Sequence, residues 1–289
     1  MEENSEIRNP LGIEPISKLL RKFAIPSIVA MLVSSFYNIV DQFFIGRTVG
    51  TLGNAATNVA FPVSTICVAL GLLFGIGGAA AFNIEMGKGN KEKAPFYIGN
   101  VVTGIMILGT IIAIGILLFL TPLLKFFGSP DNVLGYAKDY VGVTAIGIPF
   151  LIMGLGGGHI IRADGSPDFS MTCNLVGAII NIILDYLFVM VFDWQMKGAA
   201  LATIIGQFVS FVLVINYLRH YKTVKLKKEH FIPSLKLKNL NTFSYFGQSI
   251  LASKRSNISR LAMTPSNSNK RGGNKFSFIR TSNMYKSIG

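Results

Sequence analysis

Apolar residues run almost unbroken through six stretches of this chain, 19–45, 55–83, 96–121, 139–161, 169–192 and 198–218. Each exceeds the roughly 20 residues that a helix rising about 1.5 Å per residue needs to cross about 30 Å of hydrocarbon. The pattern predicts an all-α fold, a polytopic transmembrane bundle of about six helices over residues 1–218. A membrane barrel would show short alternating segments instead. The surplus length implies tilt, kinks or helix ends that reach the interface. After Leu218 the pattern changes. Residues 219–240 alternate lysine with apolar residues around Pro233, which predicts a basic amphipathic linker lying on the inner membrane face. Residues 241–289 are rich in Ser, Asn, Lys, Arg and Gly and hold no run long enough to span, a composition that predicts disorder.

Composition supports the membrane reading. Half of the 289 residues are hydrophobic and 14% are charged, against about 25% in a soluble domain. The net charge of +13 is unevenly placed. Residues 1–218 carry 12 Lys/Arg against 13 Asp/Glu, a net −1, whereas residues 219–289 carry 15 against Glu229 alone, a net +14. The basicity is a property of the tail, and anionic lipid headgroups account for it without nucleic acid. The start, Met1-Glu2-Glu3-Asn4-Ser5-Glu6, does not read as a signal peptide. Basic residues gather in alternate loops: Arg8, Lys18, Arg21 and Lys22 before the first span, Lys88, Lys91 and Lys93 after the second, Arg162 after the fourth and Arg219 to Lys228 after the sixth. Such residues favour the cytoplasmic side, so both termini are expected there, with the protein in the plasma membrane. Cys67 and Cys173 sit inside apolar stretches and read as buried packing residues, as His159 does; no metal-ligand cluster accompanies them.

Most charges fall at span ends, but Asp41 and Asp185 fall inside the first and fifth spans. An aspartate near the bilayer centre costs about 2.5–3.5 kcal/mol on insertion scales, so it usually faces the bundle interior on an ion or substrate pathway. Asn174, Ala178, Asn181 and Asp185 recur at helical spacing and share one face. Ser34, Tyr37, Asn38 and Asp41 form a polar side on the first span, and Thr203 and Gln207, four apart, one on the sixth. Three stripes of carboxylates, amides and hydroxyls predict a small intramembrane cavity suited to Na⁺ or to a proton, since burial favours the protonated carboxyl and a bound cation the ionised one. Pro26 deletes a backbone hydrogen bond inside the first span and marks either a static kink or a hinge. Glycines at 71, 75, 77, 78, 154 and 156–158 allow close helix packing.

These residues carry a resemblance. Ile25-Pro26, Tyr37-Asn38-Ile39-Val40-Asp41, the loop Ile161-Arg162-Ala163-Asp164-Gly165-Ser166-Pro167, Asn181-x-x-x-Asp185 and Gly198-Ala199-Ala200-Leu201-Ala202-Thr203 together resemble the multidrug and toxic compound extrusion (MATE) family of cation-coupled antiporters, over roughly residues 15–240. The resemblance implies twelve helices in two six-helix lobes with a substrate cleft between them, and a cation site of Asp41, Asn181, Asp185 and Thr203 in the first lobe. Tyr37, Asn38, Asn174 and Gln207 are expected to support that cavity. It further implies bulky amphipathic or cationic drugs as cargo, no cofactor beyond Na⁺ or H⁺ as the coupling ion, and membrane lipids, a second lobe or a homodimer partner as associates. The family's chains are longer, and the loss of span-length apolar runs after Leu218 reads as a truncated or frameshifted product carrying the first lobe. Two rivals stand beside the antiporter: an inactive or assembly-only membrane fragment, and an intramembrane aspartyl hydrolase using the two acids as a proton-sharing dyad. The hydrolase finds no catalytic motif around either acid.

Overall fold

The computed structural model of the chain describes residues 15–231. Within them run α1 (Ile16–Thr48), α2 (Thr51–Gly87), α3 (Ala94–Leu118), a short α4 (Leu120–Phe126), α5 (Asp131–Ala163), α6 (Pro167–Asp185) and α7 (Gln195–Arg219). A π-helical turn, Tyr186–Val191, continues α6, and a 3-10 turn, Lys228–Phe231, closes the described chain. Counting α6 with its π-helical continuation, six helices of 25 to 37 residues among the described residues are apolar enough to cross a membrane. They match the six apolar stretches in number and order.

The boundaries differ for local reasons. The third span stops at Leu118 rather than residue 121, because Pro122 lacks the N–H that would bond to the Leu118 carbonyl and its ring would clash there. The chain bends at Phe119 and resumes as α4. The fourth span starts at Asp131, eight residues before the expected 139. Pro130 precedes the helix and Asp131 lies in its first turn, where a carboxylate favours the positive end of the helix dipole.

α5 is the central post. It packs against α2, α3, α6 and α7, whereas α1 packs chiefly on α6 and is the least enclosed span. Buried Ile98, Ile105, Ile152, Met153, Ile160 and Ile161 fill the interior. Outside, Met31, Leu32, Phe36, Ile39 and Phe43 leave an apolar face on α1 that suits hydrocarbon rather than water. Two helix pairs meet backbone to backbone. A Cβ on Gly75 of α2 would lie 2.6 Å from the Gly156 carbonyl oxygen of α5, and a Cβ on Gly206 of α7 would lie 2.7 Å from that of Gly177 on α6.

The turn from α5 to α6 ties down the chain that follows α7. Gly165, at φ +77°, reverses the backbone there while its N–H donates to the Arg162 carbonyl. Beside it, buried Asp164 accepts hydrogen bonds from the Tyr217 hydroxyl (2.8 Å), the Lys222 N–H (2.8 Å), the Thr223 N–H (2.9 Å) and the Thr223 hydroxyl. The Tyr221 hydroxyl donates to the Ile160 carbonyl at 3.1 Å, and burial pushes its pKa up from the ordinary value, so it stays a donor. Farther on, the Thr103 hydroxyl donates to the Phe231 carbonyl (2.8 Å) and the His230 ring stands edge-on to Phe96. Residues 220–231 are thus an irregular strap tied to α3 and α5. The rest of the expected linker, 232–240, and the tail, 241–289, lie outside the described residues.

Hydrogen bonds to a carboxylate contribute about 1.5–3 kcal/mol each when the partner would otherwise be buried without one. Asp164→Ala is therefore expected to release the strap. Limited trypsin digestion of the folded protein should cut after Lys222, Lys225 or Lys227 markedly faster than in the unchanged chain. Equal cutting rates would show that Asp164 does not hold it.

Candidate cation site and cavity

The cavity follows from the stripes. α1 supplies Ser34 and Tyr37, α6 supplies Asn174, Gly177, Ala178 and Asn181, and α7 supplies Thr203, Gly206, Gln207 and Ser210; α5 closes the remaining side with Phe150, Leu151, Gly154 and Leu155. The space between them is about 570 Å³, counted to its open mouth. The backbone contact of Gly177 with Gly206 holds α6 and α7 together at its wall, and Ser210 crosses the same seam to donate to the Cys173 carbonyl at 2.9 Å.

Asp41 and Asp185 lie one helical turn beyond Tyr37 and Asn181, past the cavity's lining, where α1 packs on α6. Asp185 is 0% exposed, Asn181 3% and Asp41 6%. No ion pair reaches either acid among the described residues. Five of their polar atoms have no hydrogen-bond partner outside this group: Asp41 Oδ1, both Asp185 carboxylate oxygens, and the Asn181 amide oxygen and nitrogen. Buried polar atoms in folded proteins are normally paired, and an unpaired buried carboxylate is far costlier than an unpaired amide. The two acids also repel each other. A proton or a small cation held among these oxygens removes that cost, and this donor set of carboxylates and an amide oxygen suits a hard monovalent ion. The α-helix of α6 ends at Asp185 itself, and π-helical turns are found mostly where function interrupts a regular helix.

The other residues fall as follows. Tyr37, Asn174, Thr203 and Gln207 line the cavity. Thr203 also bonds back to the Ala199 carbonyl (3.0 Å) and Asn174 to the Ser170 carbonyl (3.2 Å), both within their own helices. Asn38 departs from the expected polar side: it is exposed, and its amide turns back on the Ser34 carbonyl at 2.7 Å. The spacing Ser34, Tyr37, Asp41 defines the inward face, and Asn38 falls off it. Pro26 is buried within α1, fifteen residues before Asp41. Cys67 and Cys173 are buried and unpaired. Among the described residues no three His, Cys, Asp or Glu side chains come together as a metal cluster would need.

Two contributors were not anticipated. The Tyr140 hydroxyl of α5 stands at Thr203 and within electrostatic reach of both acids and Tyr37. Its signal was a tyrosine one turn before Thr144, at the start of an apolar stretch. Gln42, next to Asp41, accepts a hydrogen bond from the Thr57 hydroxyl at 2.9 Å and so links α1 to α2 beside the site.

The chain is similar to known proteins of one family. The MatE family profile matches residues 26–187, more than half of the chain. The multidrug export protein MepA of Staphylococcus saprophyticus is 28% identical over 220 residues, covering 76% of this chain and 49% of its own. MepA of Staphylococcus aureus is 29% identical over 203 residues, covering 70% and 45%. Among solved structures, the MATE multidrug transporter DinF-BH in complex with rhodamine 6G superposes with a TM-score of 0.75 at 33% identity, covering 88% of this chain and 57% of that one. The chain spans about half the length of the curated relatives it matches. Those relatives are transporters, which removes the hydrolase reading of the two acids. The chain is a multi-pass membrane protein that belongs to the MATE family of multidrug efflux transporters, and its six spans match one lobe of that fold.

Proposed function

We propose that this lobe binds a coupling cation, H⁺ or Na⁺, at Asp41, Asn181, Asp185 and Thr203, and that this occupancy sets the lobe's affinity for an amphipathic or cationic drug. The observation that carries the reading is the group of five buried polar atoms beside a cavity with no partner outside the group. Tyr37, Asn174 and Gln207 give the cavity polar anchors, while Phe150, Leu151 and Leu155 give it apolar ones. Such a mixture suits cargo that is part apolar and part charged. Names of relatives support the cargo class: MepA is a multidrug export protein, and DinF-BH was solved with rhodamine 6G. Pro26 serves as a hinge through which α1 bends as Asp41 gains or loses its cation. Export requires a second wall for the cleft, supplied by a second lobe or another copy of this chain. The basic loops favour an orientation in the plasma membrane with both ends of the lobe in the cytoplasm.

Cation and drug affect each other only through differential affinity for two conformations, and the effect is reciprocal. The test is rhodamine 6G binding to the purified chain by fluorescence polarisation, with Na⁺ replaced by choline and, separately, across pH. A shift in Kd of about tenfold with one of the two cations is expected, within the usual range of coupling energies. A dye affinity indifferent to both would overturn the proposal. Vesicles carrying the same chain, with a cation gradient imposed, then show whether it moves the dye without a second lobe.

A further inference from the structure

A second chamber lies behind the cavity. Val63, Ser64 and Cys67 of α2, residues of α5 that include Tyr140, Thr144 and Leu151, and Thr203 and Gln207 of α7 border a space of about 410 Å³, open solvent at its opening included. Neither α1 nor α6, the helices that carry the acids, contributes to its lining. The two spaces share three residues, Leu151, Thr203 and Gln207, which form a partition between them. Ser64 is exposed and stands at the chamber's mouth, whereas Cys67, one turn further on, is 1% exposed and lies at its back.

The lining is unusually polar for an intramembrane space. Ser64, Tyr140, Thr144 and Thr203 bring hydroxyls, and Gln207 an amide. Thr144 and Thr203 satisfy their hydroxyl protons on carbonyls of their own helices, at 3.0 Å in each case, and so keep oxygen lone pairs free for a further donor. A cavity with several polar partners and room for more than one molecule holds water, whereas one lined by aliphatic groups stays dry. Thr203 lines this chamber and also lines the main cavity beside Asn181, a member of the candidate cation site.

We propose that the chamber between α2, α5 and α7 is a water-filled vestibule that supplies solvent and small hydrated cations to the Thr203–Tyr140 edge of the acid pair, by a door separate from the drug's. The inference rests on the cation reading for its purpose but not for its hydration. A separate door lets the cation exchange while cargo occupies the main cavity.

The chain carries its own matched reporters. Cys67 and Cys173 are equally buried, at 1% and 2% exposure, but Cys67 lines the vestibule and Cys173 lines neither space. Hydroxyl radicals made by X-ray radiolysis of the full chain in detergent oxidise side chains that touch trapped water. Cys67 is expected to be oxidised about tenfold faster than Cys173, as a side chain beside buried water should be. Ser64→Phe, at an exposed position that tolerates bulk, should shut the mouth and bring Cys67 down to the Cys173 rate. Gly154→Leu should fill the main cavity, where a Cβ meets nothing nearer than 3.9 Å, and leave Cys67 labelling unchanged. Labelling of Cys67 at the Cys173 rate overturns the vestibule. Suppression by Gly154→Leu, or none by Ser64→Phe, overturns the separate door. A failure of cation-dependent dye binding leaves all three labelling rates as they are, so the two proposals fail independently.

Discussion

Asp185→Asn is expected to erase the dependence of rhodamine 6G binding on the coupling cation while leaving the lobe folded and inserted. Asparagine keeps the shape of the side chain and removes the charge. Asp185 is fully buried and its oxygens have no partner outside the group, so an ionised carboxylate there carries a large polar cost. Under the proposed function a cation bound in the unchanged chain removes that cost, and its binding free energy appears as added stability. The variant has no such cost to remove. Without cation it should melt at or above the temperature of the unchanged chain, and saturating cation should leave its Tm within about 1 °C, where the unchanged chain gains several degrees. The Kd for the dye, shifted about tenfold by cation in the unchanged chain, should vary by less than about twofold in the variant. Asp41→Asn should behave in the same way, since the two charges act on one another. In a chain complete with its second lobe, both variants should lose cation-driven efflux. Undiminished coupling in the two variants would show that the ion binds elsewhere.

The fold and the site were legible in the sequence to different depths. The six spans could be read because hydrocarbon imposes a length and an apolar composition that few other contexts demand. The break at Phe119 could not be read from hydropathy, since Leu118, Phe119 and Leu120 are all apolar; it follows from Pro122, four residues after the carbonyl that it deprives. At the site, Asn174, Asn181 and Asp185 were found because they repeat on one helix face. Asn38 shows the limit of that reasoning. Its neighbour Tyr37 faces inward, and one residue on, a rotation of about 100° carries the side chain off that face to bond with its own helix. Tyr140 shows the converse, a residue outside the three polar stripes whose relevance depends on a tertiary contact with Thr203. The Asp164 clamp lay within a motif already noted, but its partners are more than fifty residues away in sequence. No periodicity encodes that pairing.

The glycines give the sharpest expectation for stability. Membrane helices gain little by withdrawing apolar surface from lipid, so their association depends on close packing. The α2–α5 seam is built on that closeness. A Cβ on Gly71 would stand 3.2 Å from the Ile152 carbonyl oxygen, one on Gly75 would stand 2.5 Å from the Gly156 Cα, and one on Gly156 would stand 2.6 Å from the Ile105 Cδ1 of α3. At Gly75 the obstacle is backbone, which cannot swing aside as a side-chain tip can. Gly75→Ala should therefore force α2 and α5 apart, at about 1–3 kcal/mol, as overpacking of a tight core does. Gly75→Leu should prevent recovery of a monodisperse folded chain. Gly115 of α3 is the matched control. It lies in an equally apolar span, and a Cβ there would meet nothing within 4 Å. Gly115→Ala should be neutral or stabilising by up to about 1 kcal/mol, since alanine favours a helix over glycine. The readout is the temperature at which each detergent-solubilised variant loses its folded peak on size exclusion. If Gly75→Ala and Gly115→Ala lose it together, the seam yields more readily than its geometry implies. A wide separation instead makes the α2–α5 contact the rigid support on which α7 packs.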